Sequence, residues 1–301
     1  MDSLSNKVVI TGIGGFTGKY LSEYLTQKGY NVFGISNLGN KENKTYKCDI
    51  TDKSEVETVL REIQPNYIIH LAAISFVQHN DIQEIYNVNV IGTQNILEAC
   101  LIIKESLKKV ILASSATVYG NNPNEMLSED MCPNPINHYG ISKLAMEQVA
   151  KTYFTNLPIL ITRPFNYTAP GHGEQFVIPK IAKAFVNKEK QIELGNLNVY
   201  REYNAIEFVC DVYFKLLESE TTSAIVNIAS GNTYSLNDIL SKFEEKSGHR
   251  IEVIVNPNFV RKDEIKILKG DISKLKSIIN VEFSNSIDST IVSFLSKTGN
   301  K

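Results

Sequence analysis

Tyr139-Gly140-Ile141-Ser142-Lys143 places a phenol and an ammonium four residues apart, which on a helix is one face. A tyrosine hydroxyl titrates near ~10 in water, and a neighbouring cation favours the tyrosinate and lowers that value. Such a pair can pass a proton near neutral pH. Upstream, Ser114 and Ser115 follow an apolar run ending at Ala113, and Ser115 is placed to orient a carbonyl or hydroxyl oxygen beside Tyr139. A Tyr-x-x-x-Lys spacing by itself is common by chance. It gains meaning here from order: a glycine cluster, then a serine at a strand end, then the Tyr–Lys helix.

The glycine cluster is Thr11-Gly12-Ile13-Gly14-Gly15-Phe16-Thr17-Gly18. Gly12, Gly15 and Gly18 give GxxGxxG between a short apolar run and an amphipathic stretch. Glycines let a backbone turn tightly against a pyrophosphate, and the following helix offers free N–H groups and its positive dipole end. The cluster, with Phe16 and Thr17 inside it, therefore predicts a dinucleotide site. About 20 residues on, an acidic residue would favour NAD by binding the ribose 2′-hydroxyl. This chain has Gly34-Ile35-Ser36-Asn37 instead. Ser36 and Asn37 as donors to a 2′-phosphate, with Lys41 or Lys44 to neutralise it, favour NADP, with NAD left open. Asp49 and Ile50 are expected at the adenine, unless Asp49 only caps a helix.

These residues need a scaffold. Strand patterns at Lys7–Thr11, Asn31–Ile35, Tyr67–Leu71, Lys109–Ala113 and Pro158–Thr162 alternate with helical patterns at 19–28, 56–63, 81–107 and 141–154. This alternation predicts an α/β, Rossmann-type, doubly wound parallel sheet with a smaller C-terminal substrate-binding region. The expected division is a dinucleotide-binding domain over 1–164, with a return segment at about 202–229, and a substrate-binding region over 165–201 and 230–301. The 301 residues, 43% of them hydrophobic, suffice for such a core.

Composition excludes several classes. The formal net charge of −2 provides no field for nucleic acid or a membrane surface. No apolar run reaches the ~20 residues of a membrane span. The first seven residues lack the pattern of a secretory signal, so a cytoplasmic location is expected. Cys48, Cys100, Cys132 and Cys210 form no CxxC pair and read as reduced thiols, and the five histidines show no ligand spacing, so no metal is expected.

At this point the chain resembles the extended short-chain dehydrogenase/reductases that modify nucleotide sugars. The resemblance rests on the glycine turn, His70-Leu71-Ala72-Ala73, Asn87-Val88-Asn89-Val90-Ile91-Gly92-Thr93, Ser114-Ser115 and Tyr139-x-x-x-Lys143. It implies that Ser115, Tyr139 and Lys143 are catalytic and that Leu71, Ala72, Ala73, Asn89 and Pro164 lie along the cofactor. Dehydratases of this kind resemble one another in carrying acids just after the catalytic Ser or Thr; this chain has Ala116 and Thr117. Arg163-Pro164-Phe165-Asn166, Gln175-Phe176-Val177-Ile178-Pro179, Arg201-Glu202-Tyr203 and Arg261 look like the GDP-4-keto-6-deoxymannose reductase family. That likeness implies a nucleotide-diphosphate sugar as partner. Asn166 would reach the sugar or its phosphate, Phe176 and Val177 would line the nucleotide pocket, and Arg201 and Arg261 would grip the diphosphate. Ala205 and Phe208 depart from it, standing where acidic residues are usual.

The resulting expectation is NAD(P)H-dependent reduction of the C4 keto group of a nucleotide-linked 4-keto-6-deoxysugar in nucleotide-sugar biosynthesis. A C4 epimerase with tightly bound NAD is the near alternative, and a non-catalytic NAD(P) sensor the distant one. A homodimer is expected through helices near 85–105 and 140–154, by way of Ile85, Val88, Val90, Ile96, Leu144, Met146 and Val149.

Overall fold

The structure, a computed structural model, describes residues 6–39, 44–75, 81–259, 266–280 and 287–296. Seven strands, β1 (Lys7–Thr11), β2 (Asn31–Ser36), β3 (Thr45–Lys47), β4 (Tyr67–His70), β5 (Lys109–Ala113), β6 (Ile159–Pro164) and β7 (Ala224–Ile228), form one parallel sheet. Their order is β7-β6-β5-β4-β1-β2-β3, so the winding reverses at β1. Crevices at strand C-termini beside such a reversal are where open α/β sheets bind ligands.

Helices follow as α1 (Phe16–Gln27), α2 (Lys53–Ile63), α3 (Ile82–Tyr86), α4 (Thr93–Ile102), α5 (His138–Lys151), α6 (Val177–Val186), α7 (Ile206–Glu218), α8 (Leu236–Ser247), α9 (Ser273–Ile278) and α10 (Ile287–Ser296). Alternate side chains of each strand serve opposite layers. Val8 and Ile10 join Leu21 and Leu25 of α1 and Val209, Val212 and Leu216 of α7. Val9 faces the other way, onto Val56 and Leu60 of α2 and Ile96 and Leu97 of α4. Both faces are covered, which is why strands such as β4 are buried along their whole length.

The stretch read as one helix over 81–107 is divided. Asn87–Gly92 is a π-helical turn between α3 and α4, and α4 ends at Ile102. Its apolar spacing differs little from that of an α-helix, so periodicity does not reveal the extra residue. The turn puts Asn89 and Gly92 in the interior, where a Cβ on Gly92 would lie 2.7 Å from the Ile50 side chain.

A third core lies outside the large sheet, with Ile181 and Phe185 of α6 against Ile239 and Phe243 of α8 and Ile291 of α10. The chain between these pieces, α7 and β7, returns to the large sheet. A four-stranded sheet, ordered Thr233–Tyr234, Tyr200–Glu202, Ile267–Gly270 and Met126–Leu127, takes its edge strand from the first half of the chain.

Glu202 ties this small sheet together. It is 1% exposed, and its carboxylate accepts from the backbone N–H groups of Gly270 and Ser230, both at 2.8 Å, and from Asn204 Nδ2 at 3.0 Å. Burial pushes its pKa up, while these donors and the Gly231 N–H oppose the rise. Glu202→Ala strands buried donors at roughly 1–3 kcal/mol each. We expect a loss of at least about 3 kcal/mol on that basis in urea unfolding followed by circular dichroism; a loss below about 1 kcal/mol would contradict the clamp.

Candidate active site

β5 ends at Ala113, and the chain enters a short 3₁₀ turn over Ala116–Tyr119 whose N-cap is Ser115. Ser115 Oγ accepts the Thr117 N–H at 3.1 Å and lies 2.9 Å from Thr117 Oγ1. α5 starts beneath it because the Asn137 side chain accepts the Gly140 N–H at 2.8 Å. Tyr139 and Lys143 therefore stand one helical turn apart, with Ser115 close enough to Tyr139 for its hydroxyl to act on the phenol.

Lys143 is buried, and its Nζ donates to the Ala113 carbonyl oxygen at 2.7 Å, so α5 is tied to the end of β5. Burial lowers the Lys143 pKa to about 8, against an upward pull from Glu147. Burial raises the Tyr139 phenol to about 12, against a downward pull from Ser115. The lowered phenol expected from the Tyr–Lys spacing is thus reversed: loss of water outweighs the downward pull of Ser115. Tyr139 holds its proton at neutral pH.

Behind the pair lies an ion pair free of solvent. Arg163 donates from Nε and Nη2 to the two Glu147 carboxylate oxygens at 2.9 and 2.7 Å. Ser114 Oγ donates to the same carboxylate at 2.6 Å, and the guanidinium lies 4.8 Å from the Tyr119 ring centre. Glu147 is one turn after Lys143, so this pair fixes the inner face of α5 beside Ser114 and Ser115.

A second buried line of hydrogen bonds reaches α5 from the other side. Ala72 N–H donates to Thr11 Oγ1 at 3.1 Å, and Thr11 Oγ1 lies 2.7 Å from His70 Nδ1. His70 Nε2 lies 3.0 Å from Thr93 Oγ1, which donates to the Asn89 carbonyl oxygen at 2.8 Å. Thr93 has spent its proton, so His70 Nε2 donates and Nδ1 accepts from Thr11. Burial lowers the His70 pKa to about 3, which matches this neutral form. Asn89 Oδ1 accepts the Ile74 N–H at 2.8 Å, and its amide donates to Ile74 O at 3.1 Å and Ser142 Oγ at 3.0 Å. Ser142 Oγ donates to the Tyr139 carbonyl at 2.8 Å. Asn89, expected along the cofactor, is fully buried and braces the loop that carries Leu71, Ala72 and Ala73.

The glycine turn fits a dinucleotide phosphate. Gly12 has φ +70°, and a Cβ there would lie 2.9 Å from Ala72 backbone atoms. A Cβ on Gly18 would lie 2.4 Å from Gly12 O. Gly15 is the N-cap of α1 and supplies no side-chain cap, and the first turn, with Phe16, Thr17 and Gly18, carries no acid. Its leading N–H groups thus suit an anion. Ser36 and Asn37 sit at the end of β2 on the same sheet edge, with Ser36 Oγ accepting the Gly39 N–H at 3.1 Å. Lys44 goes elsewhere: its ammonium donates to Asn31 Oδ1 at 2.6 Å, at the opposite end of β2. Lys41 lies outside the described residues. Asp49 accepts from the Thr51 N–H and hydroxyl at 2.9 and 2.8 Å, and Ile50 is buried against Gly92. The α2 cap is Asp52.

On the substrate side, Pro164 ends β6 and Asn166 is exposed just beyond it. Phe176 and Val177 open α6, and Phe176 keeps 36% of its surface exposed. Arg201 is half-buried and donates from Nη1 to the Tyr200 carbonyl at 2.8 Å. Arg261 lies outside the described residues. Two residues gain importance that spacing did not reveal. Tyr167 OH lies 2.8 Å from Thr17 Oγ1, and His172 stacks on Phe16 with ring centres 4.3 Å apart. Both join the glycine turn to the segment after β6; Tyr167 directly follows the Arg163–Asn166 stretch, and no motif pointed to His172. Among the described residues, no group of three or more His, Cys, Asp or Glu side chains could hold a metal ion.

Comparison with known proteins matches residues 9–293 to the family described as GDP-mannose 4,6 dehydratase. The chain belongs to that family of short-chain dehydrogenase/reductases. Within it, GDP-6-deoxy-D-talose 4-dehydrogenase of Aggregatibacter actinomycetemcomitans is 35% identical over 278 residues, covering 92% of each chain. GDP-6-deoxy-D-mannose reductase of Pseudomonas aeruginosa is 25% identical over 283 residues, covering 90% of each. The structure of RMD from Pseudomonas aeruginosa complexed with NADPH superposes with a TM-score of 0.84 over 98% of both chains at 23% identity, a likeness of fold. The protein is thus a nucleotide-sugar enzyme of the dehydrogenase, reductase and dehydratase type.

Ala205 and Phe208, where the sequence likeness led to an expectation of acidic residues, are both buried, and Phe208 packs in the core that α7 shares with β1. A carboxylate at 208 would there be buried in an apolar layer. The Arg163–Glu147 pair yields a second stability test. Arg163→Met leaves a buried carboxylate without its counter-charge, and we expect a loss of about 3–5 kcal/mol in chemical denaturation. The double change Arg163→Met with Glu147→Leu recovers most of that loss; equal losses in single and double variants would show that packing, not charge, holds α5.

Proposed function

We propose that the protein reduces the C4 keto group of a nucleotide-linked 4-keto-6-deoxysugar of the GDP-4-keto-6-deoxymannose type. The observation that carries this reading is the Tyr139 phenol set beside Ser115 and one turn from Lys143, with Ala116 and Thr117 where the likeness to dehydratases would place acids. Thr117 Oγ1 lies 2.9 Å from Ser115 Oγ. The names of the two relatives support the sugar class. 6-Deoxytalose and 6-deoxymannose differ only at C4, so oxidation at that carbon gives one and the same ketosugar.

In this scheme a reduced nicotinamide dinucleotide supplies hydride to C4. Ser115 holds the C4 oxygen, and Tyr139 gives its proton to that oxygen as negative charge builds there, leaving a secondary alcohol. Lys143 stabilises the resulting tyrosinate and binds the nicotinamide ribose. Gly12, Gly15, Phe16, Thr17 and Gly18 cradle the pyrophosphate, and Leu71, Ala72, Ala73 and Pro164 flank the cofactor. Ser36 and Asn37, with no carboxylate at that strand end, favour NADP, and Asp49 and Ile50 lie toward the adenine. Asn166, Phe176, Val177, Arg201 and Arg261 bind the sugar nucleotide.

A homodimer accords with the same reading. Ile85, Ile96 and Met146, expected at the interface, are buried in their own subunit. Ile91 and Ile141, on the π-helical turn and α5, are 44% and 39% exposed and take their place. The free cysteines accord with a cytoplasmic location.

Purified protein should oxidise NADPH when given GDP-4-keto-6-deoxymannose. No turnover with GDP-, CDP- or dTDP-linked ketosugars would remove the reading. Turnover of a GDP-hexose without added reductant would mark an epimerase instead. Tyr139→Phe should lower kcat by roughly 10²–10⁴-fold with an unchanged melting temperature. Lys143 is charged below its pKa, so kcat/KM should fall as pH rises through about 8; a flat profile from 7 to 9.5 would deny Lys143 its part. Ile91→Glu with Ile141→Glu should yield a monomer by light scattering.

A further inference from the structure

Three aromatic rings run without a break from the glycine turn to the start of α6. Phe16 and His172 lie 4.3 Å apart at 10° between planes, and His172 and Phe176 lie 4.0 Å apart at 28°. The same segment is fastened beside the stack. Tyr167 meets Thr17 by a 2.8 Å hydrogen bond and faces Phe16 at 6.1 Å. Tyr20 donates to the Pro170 carbonyl at 2.8 Å, and Thr168 Oγ1 lies 3.3 Å from His172 Nδ1. Phe16 belongs to the turn assigned to the dinucleotide, and Phe176 to the pocket assigned to the sugar nucleotide. His172 is the ring shared by both contacts.

We propose that His172 is a positioning residue that couples the two ligand sites, so that a nucleoside diphosphate against Phe176 tightens the grip of the glycine turn on the dinucleotide. The inference rests on the proposed assignment of those two sites. Its physical basis is that aromatic rings stack in a few preferred offsets, so fixing Phe176 narrows the positions open to His172 and then to Phe16. Thermodynamic linkage makes the effect reciprocal: cofactor must strengthen nucleotide binding by the same factor. Burial lowers the His172 pKa to about 4, so the ring stacks uncharged at neutral pH and needs no counter-ion between the sites.

The test is the ratio of NADPH dissociation constants without and with saturating GDP, read by isothermal titration calorimetry on the full chain. In the unaltered protein we expect a ratio of roughly fivefold or more. His172→Leu, of similar bulk but without a ring, should bring the ratio to about 1. His172→Phe, a ring without nitrogens, should keep most of it, and Phe176→Leu should abolish it as His172→Leu does. A change in fold would shift the leucine variants but would not explain rescue by phenylalanine. A ratio of about 1 in the unaltered protein, or a full ratio in His172→Leu, overturns the coupling while leaving both sites as assigned. Failure of GDP, UDP, CDP and dTDP all to bind removes the site assignment, and the coupling with it.

Discussion

The meeting of β1 and β4 is the constraint on which the active face depends. Thr11 pairs with His70 in the parallel register, and both strands end there. Beyond that point one chain must turn over the sheet edge and the other must run past it. Gly12 permits the first by a positive φ, and its missing Cβ permits the second, since Ala72 occupies that space. The hydroxyls of Thr11 and Thr93 then hold the His70 imidazole between them. Every polar group in that line has a partner, and an unmatched one would cost about 1–3 kcal/mol. The line is therefore stiff, and it ends on the backbone of Tyr139. The turn for a dinucleotide and the helix with the phenol are set by one buried network rather than by two local motifs.

Charge is arranged around α5 with similar economy. Glu147 lies one turn from Lys143 and would be its natural partner. Arg163 and Ser114 take both carboxylate oxygens instead, in a geometry that suits a guanidinium better than an ammonium. Lys143 donates to the neutral Ala113 carbonyl, and burial lowers its pKa to about 8. Burial thus brings a lysine into the working pH range against the upward pull of Glu147.

What was legible in the sequence was local in spacing. Gly12, Gly15 and Gly18, the strand before them, Ser115 after Ala113 and the Tyr139–Lys143 turn obey rules that act over a few residues. Five of the seven strands of the parallel sheet come from the alternation they sit in. What was hidden depends on residues far apart in the chain. The π-helical turn keeps the apolar spacing of a helix, so nothing betrays that Asn89 points at Ile74. Lys44 read as a phosphate partner because it comes after β2, yet its ammonium donates to Asn31. His172 and Phe16 meet only when the segment after β6 folds over the first helix, and no periodicity encodes that contact.

The family frame and the reading of this member differ, and the difference is chemical rather than architectural. A protonated phenol, a serine and a buried lysine can serve any reaction that moves hydride and proton at one sugar carbon. Elimination of water requires a further acid or base at the neighbouring carbons. Positions 116 and 117 are where the likeness to dehydratases would place it, and here they hold a methyl group and a hydroxyl turned to Ser115. Both positions lie close to the frame of the site: Ala116 is buried with Tyr119 and Phe165, and a Cβ on Gly140 of α5 would lie 2.9 Å from the Thr117 carbonyl oxygen. In the proposed reaction the scaffold would present C4 of the sugar, and a few side chains at its rim would set how far the reaction proceeds.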